Sequence, residues 1–210
     1  MTRIALVSAA CAFAMAISAP VAAEEPAEDV AAKDAAVVKA CLDVAEARRK
    51  AADASDAALP DDAKAEEKTG PEGHLDAAAR AAGYAAESCI GVLADPCLET
   101  EEGASTYGMM NCYGRESEVW DARLNASYRE RMAPETGPGS NAATAELEAK
   151  QLRKIQSAWI PWRDATCEVL YSDGIPIYGS LARVDAGYCV MVLTARQALW
   201  MEGSLALGFE

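Results

Sequence analysis

The sequence predicts an all-α protein, a disulfide-stapled bundle of about five helices, on three observations. Apolar residues recur at spacings of three and four through every long segment, as one buried helical face requires. No stretch of alternating apolar and polar residues competes with that pattern, and no internal repeat is evident. Proline- and glycine-rich breaks at residues 58–73, 134–141 and 172–180 then cut the chain into helix-sized lengths.

The first 23 residues read as a secretory signal peptide. Arg3 opens it, Ile4 to Ile17 is almost wholly apolar, and Val21-Ala22-Ala23 supplies small residues before Glu24. The apolar run is shorter than the roughly 20 residues of a membrane span, so stable membrane insertion after cleavage is not expected. Export to the periplasm or beyond changes how the cysteines are read. Cys11 leaves with the signal, and the other six, Cys41, Cys89, Cys97, Cys112, Cys167 and Cys189, suit three disulfides in an oxidising compartment. A metal site is disfavoured, because no Cys-x-x-Cys pair occurs and His74 is the single histidine; no cofactor is expected. The formal charge of −14 becomes one unit more negative once Arg3 is removed. Such a surface repels nucleic acid and attracts cationic protein partners.

Residues 24–94 read as an alanine-rich helical hairpin extension, and residues 95–210 as a second helical domain. The first helix is expected over about Val30 to Ala54 with Val37, Cys41, Val44 and Ala45 inward. A charged loop follows, then a second helix over about Leu75 to Ala94. Cys41 and Cys89 lie near the open ends of the two helices, roughly level, which pairs them. Asp95-Pro96 breaks the chain, since the residue before proline resists helical geometry. Cys97 to Thr106 is acidic and poor in apolar residues, a loop. Ser105 or Thr106 can cap the next helix, which runs to about Met132. Its stripe is Met109, Met110, Cys112, Tyr113, Val119, Trp120, Leu124, Tyr128 and Met132.

The fourth helix starts near Thr144, and its stretch Gln151 to Cys167 is expected to anchor the core. Leu147, Leu152, Ile155, Trp159 and Trp162 share one face; Arg163 and Asp164 form an ion pair, and Cys167 a cross-link. Pro161 should kink this helix. The last helix is expected over Leu181 to Gly203, with Val184, Tyr188, Met191, Ala195 and Leu199 inward.

From Cys97 onward the chain resembles the LprI-type lysozyme-inhibitor domain. Cys97 and Cys112 flank the entry to a helix, and Leu124-Asn125-Ala126-Ser127-Tyr128 matches the family's Leu-Asn-x-x-Tyr. Gln156 to Cys167 matches Gln-x-x-Trp-x-x-aromatic-Arg-Asp-x-x-Cys through Gln156, Trp159, Trp162, Arg163, Asp164 and Cys167, with Pro161 a departure from the usual helix-friendly residue. Gly179-Ser180, Cys189, Thr194 and Arg196 complete the order. On physical grounds Leu124, Tyr128, Trp159 and Trp162 are scaffold. Arg163 could reach a carboxylate on a neighbouring helix, and Asn125 or Gln156 the exposed backbone of a helix end. Cys167 and Cys189 flank one turn between adjacent helices, and the same local logic pairs Cys97 with Cys112.

No nucleophile motif, phosphate loop or metal spacing supports an enzyme, and near carboxylates such as Glu116 and Asp121 arise by chance among 33 acidic residues. The resemblance implies instead a non-enzymatic module that binds a cationic protein, lysozyme being the implied partner. A periplasmic adaptor or envelope-structural protein binding an endogenous cell-wall factor is the alternative. A rigid protrusion is what an inhibitor needs, and the 172–180 loop offers one, with Asp173 and Tyr178 as contacts. Ser180 would otherwise simply cap the last helix.

Overall fold

The structure, a computed structural model, describes residues 27–57, 85–133, 142–168 and 179–203. The described elements are helical: α1 (Ala27–Ala57), α2 (Ala94–Leu98), α3 (Thr106–Met132), α4 (Ala142–Glu168) and α5 (Ala182–Met201), the last preceded by a 3-10 turn at Gly179–Leu181. The signal segment, the 58–84 stretch with His74, and the 134–141 break lie outside the described residues.

The centre of the molecule is α3 against α5. Trp120 and Leu124 of α3 meet Met191, Ala195, Ala198 and Leu199 of α5, all essentially shielded from solvent. The two helices run parallel, since Tyr113 touches Tyr188 near their starts and Arg123 reaches Glu202 near the end of α5. Helix α4 returns antiparallel beside α5, tied through Cys167–Cys189, Arg163 to Thr194, and Gln156 to Gln197. The α3 stripe follows the expected positions, and Ser105 caps the helix by accepting from the Gly108 N–H at 2.9 Å.

Four expectations need correction. The tryptophan helix is not the core anchor: α4 buries Leu152 and Cys167, whereas Leu147, Ile155 and Trp162 stay exposed, Trp162 by 53%. Its inward face lies along Leu152, Gln156, Trp159, Arg163 and Cys167, roughly 80° round the helix from the apolar stripe. The disulfide and the polar links to α5 set that rotation. Second, α1 turns Asp34, Val38 and Ala45 inward and leaves Val37 and Val44 exposed, because Asp34 docks on Arg115 of α3. Third, Tyr188 is half-exposed and packs edge-on against Tyr113 rather than entering the core. Fourth, Asp95-Pro96 does not break a helix but starts one. Pro96 sits in the first turn of α2, where its missing N–H would have no intrahelical acceptor anyway. The chain reaches that turn through a bend at residues 88–93 with Gly91 at φ 101°. Pro161 lies inside α4, which continues as one helix to Glu168.

Because Trp159 is only partly buried, Trp159→Ala is expected to cost about 1–2 kcal/mol in urea unfolding, below the roughly 3–5 kcal/mol usual for a fully buried aromatic. A loss as large as that would mean α4 packs as tightly as α3.

Candidate functional site

One end of the bundle gathers the start of α3, the end of α4 and the start of α5. Between them lies a cleft of about 860 Å³, lined by Met110 and Ser117 of α3, Asp164 and Glu168 of α4, and Arg183 and Val190 of α5. Two disulfides brace this end: Cys97–Cys112 joins α2 to α3, and Cys167–Cys189 joins α4 to α5. The third, Cys41–Cys89, clasps α1 to the segment before α2, so all three pairings follow the local logic of the sequence.

The segment closed by Cys97–Cys112 is a tight acidic knob. Thr100 donates its hydroxyl to the Cys97 carbonyl at 2.7 Å, and its backbone N–H reaches the same oxygen at 3.1 Å. The chain then packs on itself: a Cβ at Gly103 would strike the Cys97 carbonyl, and one at Gly108 the Glu102 carbonyl. Only glycine permits these approaches. On this ordered backbone Glu99, Glu101 and Glu102 are exposed, and Tyr107 is 73% exposed, the most open of the large apolar side chains described. Asp185 and Leu181 of the α5 start are exposed at the same end, with Tyr188 beside Tyr113. Partial burial lifts the Tyr113 hydroxyl above its ordinary value, with the Asp95 charge second. Asp95 is itself raised, first by desolvation and then by Glu116. A raised carboxyl favours the folded state below its unfolded pKa and loses that contribution as pH rises through the folded value.

Behind the knob, Glu116 carries no exposed surface and accepts four hydrogen bonds. Oε1 takes the Gly91 N–H at 2.6 Å and the Trp120 indole N–H at 2.9 Å; Oε2 takes the Leu93 and Ala94 N–H groups at 2.9 and 2.8 Å. Asp121 instead is exposed and accepts from Asn125 at 2.8 Å. The two carboxylates therefore face different surroundings and form no acid–base pair. Among the described residues, no group of three His, Cys, Asp or Glu side chains is placed to hold a metal ion.

The other family-matched residues are mostly structural in placement. Leu124 is buried, and Tyr128 and Trp159 pack against the core. Gln156 accepts from Gln197 across the α4–α5 interface. Arg163 pairs with Asp164 at 2.7 Å, stacks over Trp159 at 5.0 Å and donates to Thr194 rather than to a carboxylate of another helix. Asn125 serves a side chain of its own helix, not a helix end. Asp173 and Tyr178 lie outside the described residues. Ser180 falls in the 3-10 turn, and the cap position of α5 is Leu181. Sequence reasoning passed over Tyr107 and the Glu99–Glu102 run. The signal was present, since a disulfide-closed stretch with acidic and aromatic residues is the same criterion that selected the 172–180 loop.

The family model described as Lysozyme inhibitor LprI matches residues 97–201. No curated protein and no solved structure matches the chain.

Proposed function

Since the chain belongs to the LprI lysozyme-inhibitor family, we propose that it is a periplasmic or secreted, non-enzymatic module that binds and inhibits a cationic lysozyme. The observation that carries this reading is the disulfide-braced end of the bundle, where Glu99, Glu101, Glu102 and Tyr107 are exposed on the knob before α3, and Asp164 and Glu168 line the cleft with Arg183. Preordered aromatic side chains lose little entropy on binding, and the surrounding carboxylates steer a positively charged enzyme toward them. Three disulfides fit an oxidising compartment, and no helix among the described residues is long and apolar enough to cross a membrane. Asp173 and Tyr178 fall between the end of α4 and the start of α5 in the sequence, and we propose them as further contacts.

The test is a lysozyme lysis assay with three proteins at low salt. The native chain is expected to inhibit. Tyr107→Ala with Glu101→Gln and Glu102→Gln is expected to raise the inhibitory concentration at least 10-fold, with the CD spectrum unchanged. Tyr178→Ala with Asp173→Asn asks the same of the loop. The association rate should fall as salt rises from about 50 to 300 mM, where screening shortens from about 14 to 6 Å. Inhibition untouched by both sets of substitutions would move the contact surface elsewhere. No inhibition by the native chain at micromolar concentration, with an endogenous cell-wall enzyme captured from periplasm, would favour the adaptor.

A further inference from the structure

The cleft at the braced end of the bundle has a bare floor that the packing of the helices does not require. Gly114 lies inside α3 and Gly187 inside α5, and both line the cleft. Glycine weakens a helix interior relative to alanine, so its presence there calls for a reason. Close packing is not that reason. A Cβ at Gly114 would meet nothing within 4 Å, and one at Gly187 only the Tyr113 Cβ, at 3.9 Å. The two glycines instead leave helix backbone uncovered in a cleft that Met110 of α3 and Val190 of α5 also line.

The α4 wall of the same cleft carries uncompensated negative charge. Asp164 and Glu168 both line it and stand one turn apart, a like-charge spacing that disfavours a helix. Arg163 answers part of that charge, donating at 2.9 and 2.7 Å to Oδ1 of Asp164 and leaving Oδ2 without a donor. Arg183 of α5 is in the lining too, yet among the described residues neither it nor Glu168 forms an ion pair.

We infer that this cleft is the seat for a basic side chain, arginine or lysine, of a cationic protein. The inference rests on the proposed reading of the chain as an inhibitor of a cationic enzyme, and names where that enzyme is held. A long basic side chain is apolar along its stem and charged at its tip, the same division that the cleft offers. The stem lies on the glycine floor beside Met110 and Val190, where no Cβ obstructs it. The tip reaches the carboxylates of Asp164 and Glu168. Arg183 then faces the partner's main chain, whose carbonyl oxygens accept from a guanidinium. A volume of about 860 Å³ holds such a side chain together with the residues that flank it. An acidic or wholly apolar occupant would leave the carboxylate pair without a cation.

The test titrates the disulfide-bonded chain, followed by amide NMR, with N-acetyl-arginine methylamide to about 50 mM, a probe that does not depend on lysozyme. Saturable shifts of the Gly114 and Gly187 amide signals are expected, with a Kd in the millimolar range that suits one side chain. The citrulline analogue, similar in shape but uncharged, is expected to give none. Gly114→Leu fills the floor and should weaken the probe at least 10-fold; Glu168→Gln removes a carboxylate and should weaken it at least 3-fold. Each should raise the inhibitory concentration against lysozyme by a similar factor. Neither should lower the melting temperature, and Gly114→Leu should raise it, because leucine is the better helix former. Absence of saturable shifts at the two glycines overturns the inference, whether or not lysozyme is inhibited. Inhibition undiminished by both substitutions overturns it as well, by seating the enzyme elsewhere. Saturable shifts in a native chain that does not inhibit lysozyme would sustain the cleft and refute the lysozyme reading.

Discussion

Replacing Glu116 with alanine is expected to cost at least about 4 kcal/mol, enough to leave a protein of ordinary stability marginal. The substitution deprives three backbone N–H groups and the Trp120 indole of their acceptor, inside a site with no exposed surface. Each buried donor left unsatisfied costs roughly 1–3 kcal/mol. Some of that sum is recovered if water enters the space vacated by the side chain, which is why the expected value lies toward its lower end. Glu116→Gln is the sharper variant, because it preserves volume. Its oxygen can still serve Gly91 and Trp120, but its NH₂ group would then point at the Leu93 and Ala94 N–H groups, donor against donor. Urea denaturation followed by far-UV CD is the measurement. A glutamine variant within about 1 kcal/mol of the native chain would show that the carboxylate is not what holds the 88–94 bend.

The second large effect concerns residues 24–94, which the sequence presents as a separable extension. The packing runs across residue 95 without a gap. Val38, Ala45, Ala86 and Cys89 share one hydrophobic cluster with Trp120, Leu124 and Met191. Arg115 of α3 holds Asp34 of α1 by three bonds, 3.1 Å from Nε and 2.7 and 3.0 Å from Nη2, with Asp34 7% exposed. A chain begun at Asp95 loses that ion pair and the Cys41–Cys89 clasp. It also removes Gly91, Leu93 and Ala94, and with them three of the four donors to Glu116. A buried carboxylate stripped of its donors is strongly destabilising. We therefore propose that residues 24–94 complete the core rather than append to it, and expect the shortened chain to lose its near-UV CD signal and cooperative unfolding. A sharp, native-like transition from that chain would restore the independent extension.

The local propensities of the chain were enough to establish α1, α3, α4 and α5, its three cross-links and the face of α3, but not the second helix expected up to Ala94, since residues 88–93 are turns. Most of these depend on short-range information: an apolar repeat with a serine cap ahead of it, or, for Cys97–Cys112 and Cys167–Cys189, cysteines on either side of one turn; Cys41–Cys89 spans 48 residues and was paired by level alone. The family resemblance, too, rested on linear order and spacing. What linear spacing could not supply was which of two adjacent helical faces turns inward. On α4 the apolar stripe and the buried face differ, because Cys167, Arg163 and Gln156 bind α5 and rotate the helix away from its own periodicity. On α1 the docking of Asp34 on Arg115 does the same to Val37 and Val44.

Glu116 was legible only as one acid among many. Its role depends on the 88–94 bend arriving beside α3 with three N–H groups aimed at one carboxylate, a meeting of segments more than 20 residues apart. The acidic end of the bundle has the same origin. The Glu99–Glu102 run and Tyr107 are neighbours in sequence, but the cleft that brings Met110 and Ser117 of α3 to Asp164 and Glu168 of α4 and Arg183 of α5 forms only through the parallel packing of α3 on α5 and the antiparallel return of α4. Hydrophobic periodicity and turn chemistry act within a few residues, so the sequence by itself determined the elements and their staples. Burial of a charge and the rotation of a helix depend on what lies across the interface, and those only the tertiary structure decided.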